Sequence, residues 1–181
     1  MGNKFEEVTV TTTKIHEGRV ISLQVDDVRL PNGKQSKREL VKHPGAVAII
    51  AITDDHRLLT VEQYRKALER SILEIPAGKI EKGEEPKDTA LRELEEETGY
   101  TASNLHFIQR FATSPGFADE IIYMYVAQGL KKLATEQTLD EDEFVEVREI
   151  TLREAEELIE SEEIFDAKTA FAIQWWRLHQ F

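Results

Sequence analysis

Between Pro86 and Gly99 the chain places Glu93, Glu95, Glu96 and Glu97 within five residues, with Arg92 directly before them. On a helix each residue advances about 100°, so Glu93 and Glu97 share one face a turn apart, with Glu96 beside them, while Ala90 and Leu94 point into a core. Like charges at this spacing repel by a few tenths of a kcal/mol, and the helix dipole disfavours anions in a last turn. Local stability opposes the arrangement, which asks for a compensating cation. Grouped carboxylates are hard oxygen ligands suited to Mg²⁺ or Mn²⁺. A solvated face of an acidic protein is the plain alternative.

The elements that must carry these residues follow from periodicity and punctuation. Pro86 suits a first helical turn and Gly99 a C′ position, so the acidic helix spans Pro86 to Thr98. Residues 5–43 alternate polar and apolar around Pro31-Asn32-Gly33 and read as antiparallel strands joined by a tight turn. Ala46 to Ile52 is apolar on both faces and fits a central, covered strand. Asp54-Asp55-His56 reads as a hairpin tip leading into Arg57 to Arg65, and Ser71 to Ile75 is a short strand ending at Pro76-Ala77-Gly78. Strands follow at Leu105 to Ala112, Ile121 to Ala127 and Phe144 to Ile150, with a charged loop from Lys131 to Glu143. Two helices close the series: Leu152 to Ser161, with Thr151 as N-cap, and Asp166 to His179. Interleaved strands and helices argue for α/β layers.

Composition bounds the chemistry. The 181 residues include 40% hydrophobic and 32% charged residues, enough for a folded core. The net charge of −12 argues against non-specific binding to nucleic acid or anionic lipid, which rests on Lys/Arg patches. It leaves phosphate chemistry open, because clustered carboxylates hold cations that receive phosphate oxygens. With no cysteine, neither a disulfide framework nor a thiolate nucleophile is available. No apolar run reaches the ~20 residues of a membrane helix and the N-terminus lacks a signal-peptide core, which gives the expectation of a cytoplasmic protein.

The wider pattern Gly78-(x)5-Glu84-(x)7-Arg92-Glu93-Leu94-Glu95-Glu96-Glu97-Thr98-Gly99-Tyr100 resembles the Nudix box at every defined position. That resemblance implies a Nudix-type α/β/α sandwich with a mixed sheet and a small N-terminal antiparallel β region. It divides the chain into residues 1–43, an N-terminal β region that serves dimerisation, and a Nudix hydrolase domain over 44–181 with its box at 78–100. Carried over by position, Glu93, Glu96 and Glu97 become metal ligands with the carbonyl of Ala77, for Mg²⁺ or alternatively Mn²⁺, two or more ions. Gly78, Glu84, Arg92 and Gly99 are then structural. Cations so held neutralise a diphosphate, bridge its oxygens and lower the pKa of the attacking water.

Outside the box, Glu62-Gln63-Tyr64-Arg65, Leu73-Glu74-Ile75-Pro76-Ala77-Gly78, Ser114-Pro115-Gly116 and Asp166-Ala167-Lys168-Thr169 resemble the bacterial ADP-ribose pyrophosphatase branch. The branch hydrolyses ADP-ribose to AMP and ribose 5-phosphate. By that resemblance Arg38 and Arg65 contact the diphosphate or adenine end, Ser114 forms part of the substrate turn, and Glu120 reaches a ribose hydroxyl. Glu141 or Glu143, on the acidic loop, would be the general base, with Glu143 also a metal ligand and Glu96 assisting catalysis. The expected partner is a small nucleoside diphosphate sugar, with no nucleic acid and no membrane, and the expected assembly a homodimer through N-terminal strands. Two readings stay open beside this one: a pyrophosphatase for another nucleoside diphosphate sugar such as GDP-mannose, and a catalytically silent nucleotide-binding Nudix domain.

Overall fold

The computed structural model describes residues 3–134 and 144–179. They fall into two compact units, one of residues 1–45 with 111–121 and one of residues 46–110 with 122–181.

The first unit is built on a meander of β1 (Val8–Glu17), β2 (Ser22–Arg29) and β3 (Gln35–Lys42), in that order across the sheet. The turn expected at Pro31-Asn32-Gly33 forms with Gly33 at φ 82°, closed by the Leu30 amide donating to the Lys34 carbonyl. β2 and β3 pair without interruption from Ser22↔Lys42 to Arg29↔Gln35, whereas β1 slips register twice along β2 and exposes every residue. Register is weakly specified where neither face of a strand is buried, and β1 is such a strand. The return segment fastens to the end of β3: Val41 donates to the Phe117 carbonyl and Asp119 donates to that of Val41.

The second unit holds two sheets. One has the order β7 (Ala77–Lys79), β4 (Ala46–Ala51), β9 (Ile121–Lys132), β8 (Tyr100–Ala112); the other has β10 (Val145–Ile150), β5 (Leu58–Arg65), β6 (Arg70–Glu74). β4 runs parallel to β9 and antiparallel to β7, which makes its sheet mixed. As its unbroken apolar sequence requires, β4 is central and buried from Val47 to Ala51. After the tip at Asp54-Asp55-His56 the chain makes an isolated bridge, Ile52↔Leu58, just past the end of β4, and then joins the other sheet.

Helix α1 (Pro86–Thr98) matches its sequence-based bounds and packs on β4, β7, β5 and β10, delivering Ala90 and Leu94 to a core with Val47, Ile49, Ala51 and Leu59. Gly99 ends it in the left-handed region, φ 69°, where other residues carry a steric cost of about 1 kcal/mol. Helix α2 (Leu152–Glu160) starts on the capping box of Thr151 and Glu154, and α3 (Ala167–His179) packs beside it. This is the α/β/α arrangement with a mixed sheet that the box implies. Two bounds differ from the sequence reading by more than one residue. β8 begins at Tyr100, and β9 continues through Lys131 and Lys132, whose charge hides an exposed strand end from a reading based on apolar alternation. Among the described residues no helix is long and apolar enough to cross a membrane.

Candidate active site

The acidic face of α1 is organised from the turn that precedes it. Glu85 caps the helix without a side-chain bond, and Glu84, one residue earlier, takes on the polar work. Its carboxylate accepts from Thr89 Oγ1 at 2.7 Å, from Arg92 Nε at 3.0 Å and from Arg92 Nη2 at 3.1 Å. The Arg92 bonds chiefly hold the Glu84 carboxyl down at about 2, against desolvation that pushes it up, with Thr89, the Glu81 amide and the Arg92 charge adding to the depression.

The other side of the same guanidinium reaches the helix face. Arg92 Nη1 donates to Glu93 Oε1 and to Glu96 Oε2, each at 2.8 Å, so one cation holds three carboxylates. Arg92 is correspondingly pushed to a still higher pKa, foremost by its bond to Glu84. Glu93 and Glu97 are 7% and 5% exposed, so this is no solvated charge run. Glu97 Oε2 accepts the backbone N–H of Ala77 at 2.9 Å, which ties the helix to β7. A Cβ on Gly78 would lie 1.9 Å from the Glu93 carboxyl carbon, so the glycine is required by the closeness of that side chain to the backbone.

Buried, grouped carboxylate oxygens beside a backbone turn are the donor set a hard divalent cation takes. They fit such an ion, and the Arg92 guanidinium bonds two of them, Glu93 and Glu96. Among the described residues, no three acidic or imidazole side chains already converge as a closed metal cage.

The remaining expected site residues are distributed as follows. Arg65, at the end of β5, donates through Nε to Glu74 Oε2 at 2.6 Å in the second unit. Arg38, Ser114 and Glu120 belong to the first unit. Arg38 grips Glu7 with Nε and Nη2, at 2.8 and 2.6 Å. The Ser114 carbonyl accepts the amides of Phe117 and Ala118, forming the expected turn. Glu120 accepts from Thr113 Oγ1 at 2.5 Å and lies 3.6 Å from His43 Nδ1. Glu141 and Glu143 lie outside the described residues. Sequence reasoning gave no role to Thr89, which orients Glu84, or to Glu74, which holds Arg65. The available signals were a threonine on the first turn of the helix and a carboxylate set between apolar Leu73 and Ile75.

Gly78→Ala is expected to drive the Glu93 carboxylate off its seat and weaken Mn²⁺ binding by ~10-fold or more, with the helical circular dichroism unchanged; titration with Mn²⁺ followed by electron paramagnetic resonance reads this, and equal affinity would refute it. Because the folded Glu84 carboxyl sits near 2 and an unfolded one near 4.5, its contribution is present above pH 4.5 and fades as the pH falls toward 2. Glu84→Gln should therefore lower stability at pH 7 by about 1–3 kcal/mol, a gap that urea titrations should find shrinking below pH 4.5; a constant gap would exclude the ionised Glu84–Arg92 pair as its source.

A family model described as the NUDIX domain matches residues 42–172. The chain is 61% identical over 175 residues to an ADP-ribose pyrophosphatase of Bacillus subtilis (strain 168), covering 97% of this chain and 95% of that protein. It is 59% identical over 180 residues to a methanol dehydrogenase activator of Bacillus methanolicus, covering 99% and 97% respectively. Its fold matches the crystal structure of an ADP compounds hydrolase with a TM-score of 0.82, at 23% identity and over 99% of this chain and 98% of that one. The box that sets the carboxylates of α1 against Ala77 and Gly78 thus lies inside a family match spanning most of the chain, which belongs to the Nudix hydrolase family.

Proposed function

We propose that the protein is a Mg²⁺-dependent pyrophosphatase that hydrolyses ADP-ribose to AMP and ribose 5-phosphate. The observation that carries this reading is the pair of buried glutamates, Glu93 and Glu97, packed on Ala77 and Gly78 of β7, with Glu97 accepting the Ala77 amide and Glu93 bonded by Arg92. The choice of ADP-ribose is supported by the high identity to the Bacillus subtilis ADP-ribose pyrophosphatase over nearly the whole chain.

In this reading Glu93, Glu96, Glu97 and the Ala77 carbonyl hold the cations, two or more in number, with Mn²⁺ able to replace Mg²⁺. When bound, they neutralise the diphosphate and acidify the attacking water. Arg92, itself held by Glu84, bonds Glu93 and Glu96 and restricts the directions of their carboxylates. Gly78 leaves room for Glu93, and Gly99 ends the helix just past the ligands. Arg65 presents a guanidinium to the diphosphate, where a planar fork suits phosphate oxygens. By family resemblance Arg38 is assigned to the diphosphate or adenine end, Ser114 to the substrate turn and Glu120 to a ribose hydroxyl. Glu141 or Glu143 takes the proton of the water as its oxygen bonds to phosphorus and the bridging P–O bond breaks, with Glu143 also a ligand and Glu96 assisting. The homodimer formed through the strands of residues 1–43 and the cytoplasmic location belong to the same proposal.

The Bacillus methanolicus relative supports a second reading, in which the same fold acts to activate a dehydrogenase. The decisive experiment is to incubate purified protein with Mg²⁺ and ADP-ribose, ADP-glucose, GDP-mannose, NADH and diadenosine polyphosphates, and to separate the products. Preferential release of AMP and ribose 5-phosphate is expected; preference for GDP-mannose would replace the substrate, and no turnover would favour a silent binding domain. Glu97→Gln should reduce ADP-ribose turnover by at least ~100-fold with the fold retained, and a near-normal rate would overturn the metal assignment.

A further inference from the structure

The segment that leads into the box, Leu73 to Ala77, and the segment Asp166 to Thr169 meet in the second unit. Glu74, the last residue of β6, is 2% exposed, yet it carries a carboxyl group. Arg65 Nε reaches one of its oxygens at 2.6 Å, and Lys168 Nζ is hydrogen-bonded to the other. Lys168 Nζ also bonds Asp166 Oδ1 at 2.9 Å, and that oxygen caps α3 by accepting the amides of Lys168 and Thr169. Thr169 Oγ1 in turn accepts the amide of Ile75 at 3.0 Å.

We propose that Glu74 is a positioning residue for the substrate's diphosphate, acting through Arg65. The proposal rests on the ADP-ribose reading above and deepens it. Burying a carboxylate is costly unless it is paired, and fold stability alone gives β6 no reason to bury one there. Neutralising Lys168 is not that reason, since Asp166 already faces the same ammonium. What the second oxygen of Glu74 adds is Arg65. Arg65 lies at the end of its strand with its side chain 40% exposed, while Glu74 is 3% and Lys168 11% exposed at the side chain, so the rigid end of the array is inside and the guanidinium is at the surface. Among the described residues, the Nε bond to Glu74 is the one hydrogen bond of that guanidinium. A guanidinium held by Nε keeps both Nη groups for a planar, paired contact with phosphate oxygens. Glu74 is also three residues from Ala77, a span of at most about 11 Å of extended chain, so the array lies within one diphosphate sugar's reach of the box.

The test is a double-mutant cycle on Arg65 and Glu74, followed by kcat and KM for ADP-ribose, with inorganic pyrophosphate binding measured by calorimetry as a substrate-independent probe. Glu74→Gln and Arg65→Ala should each raise KM by ~10-fold and weaken pyrophosphate by a similar factor, with kcat within ~3-fold. The double variant should be no worse than Arg65→Ala alone. Glu74→Asp keeps the buried charge but withdraws it by one methylene, and should also raise KM, which preserves the test if the glutamine variant fails to fold. A lower melting temperature with unchanged KM and pyrophosphate affinity, or losses that multiply in the double variant, would overturn the positioning role. Wild-type protein that binds pyrophosphate through both residues without turning over ADP-ribose would instead retain the array and remove the substrate.

Discussion

One guanidinium decides whether the acidic helix can exist. Arg92 touches Glu84, Glu93 and Glu96, and without it these three carboxylates would face one another unneutralised. Its planar fork allows this in a way a lysine could not, because Nε and Nη2 serve one carboxylate while Nη1 serves two more. The clamp still leaves the cluster acidic: three carboxylates share one positive charge, and Glu97 adds a fourth, held by a backbone amide instead. A site of this kind is stable enough to fold and electrostatically incomplete enough to attract a divalent cation.

The backbone sets the second half of the arrangement. β7 is three residues long, pairs with the central strand β4, and brings the Ala77 amide to Glu97 and the bare Gly78 Cα to Glu93. Short pairing on the buried strand β4 fixes this main chain, which seats Glu97 through the Ala77 amide and leaves at Gly78 the space that Glu93, held by Arg92, fills.

Much of this was legible in the residues, for identifiable reasons. α1 announces itself through Pro86, the apolar pair Ala90 and Leu94, and Gly99, each tied to local backbone geometry. β4 is evident because both its faces are apolar, and the Thr151 cap because it depends on groups three residues apart. The spacing of the glutamates and of Gly78, Glu84 and Arg92 carries the family pattern, and with it the chemistry. What spacing could not carry was long-range partnership. Nothing local joins Glu74 to Lys168, 94 positions apart, or shows that Gly78 is a glycine because of a side chain on α1 and not because of its own φ. The division of the strands into separate sheets is equally non-local, since it turns on whether pairing between β4 and β5 persists beyond the bridge Ile52↔Leu58. β1 was recognisable as a strand, but its two slips against β2 follow from the absence of a buried face to fix its register.

The docking of α3 also imposes an order in time. The Ile75 amide and the Glu74 carboxylate lie beside the box, yet their partners, Thr169 and Lys168, are synthesised more than ninety residues later. Without that helix, the Ile75 amide and the Glu74 carboxyl have water in place of Thr169 and Lys168. α1 can form its own clamp early, because Glu84, Arg92, Glu93 and Glu96 are neighbours in sequence. The clamp on the ligand-bearing helix thus draws only on residues close in sequence, whereas the segment leading into it can be locked only once the C-terminal helix has been made.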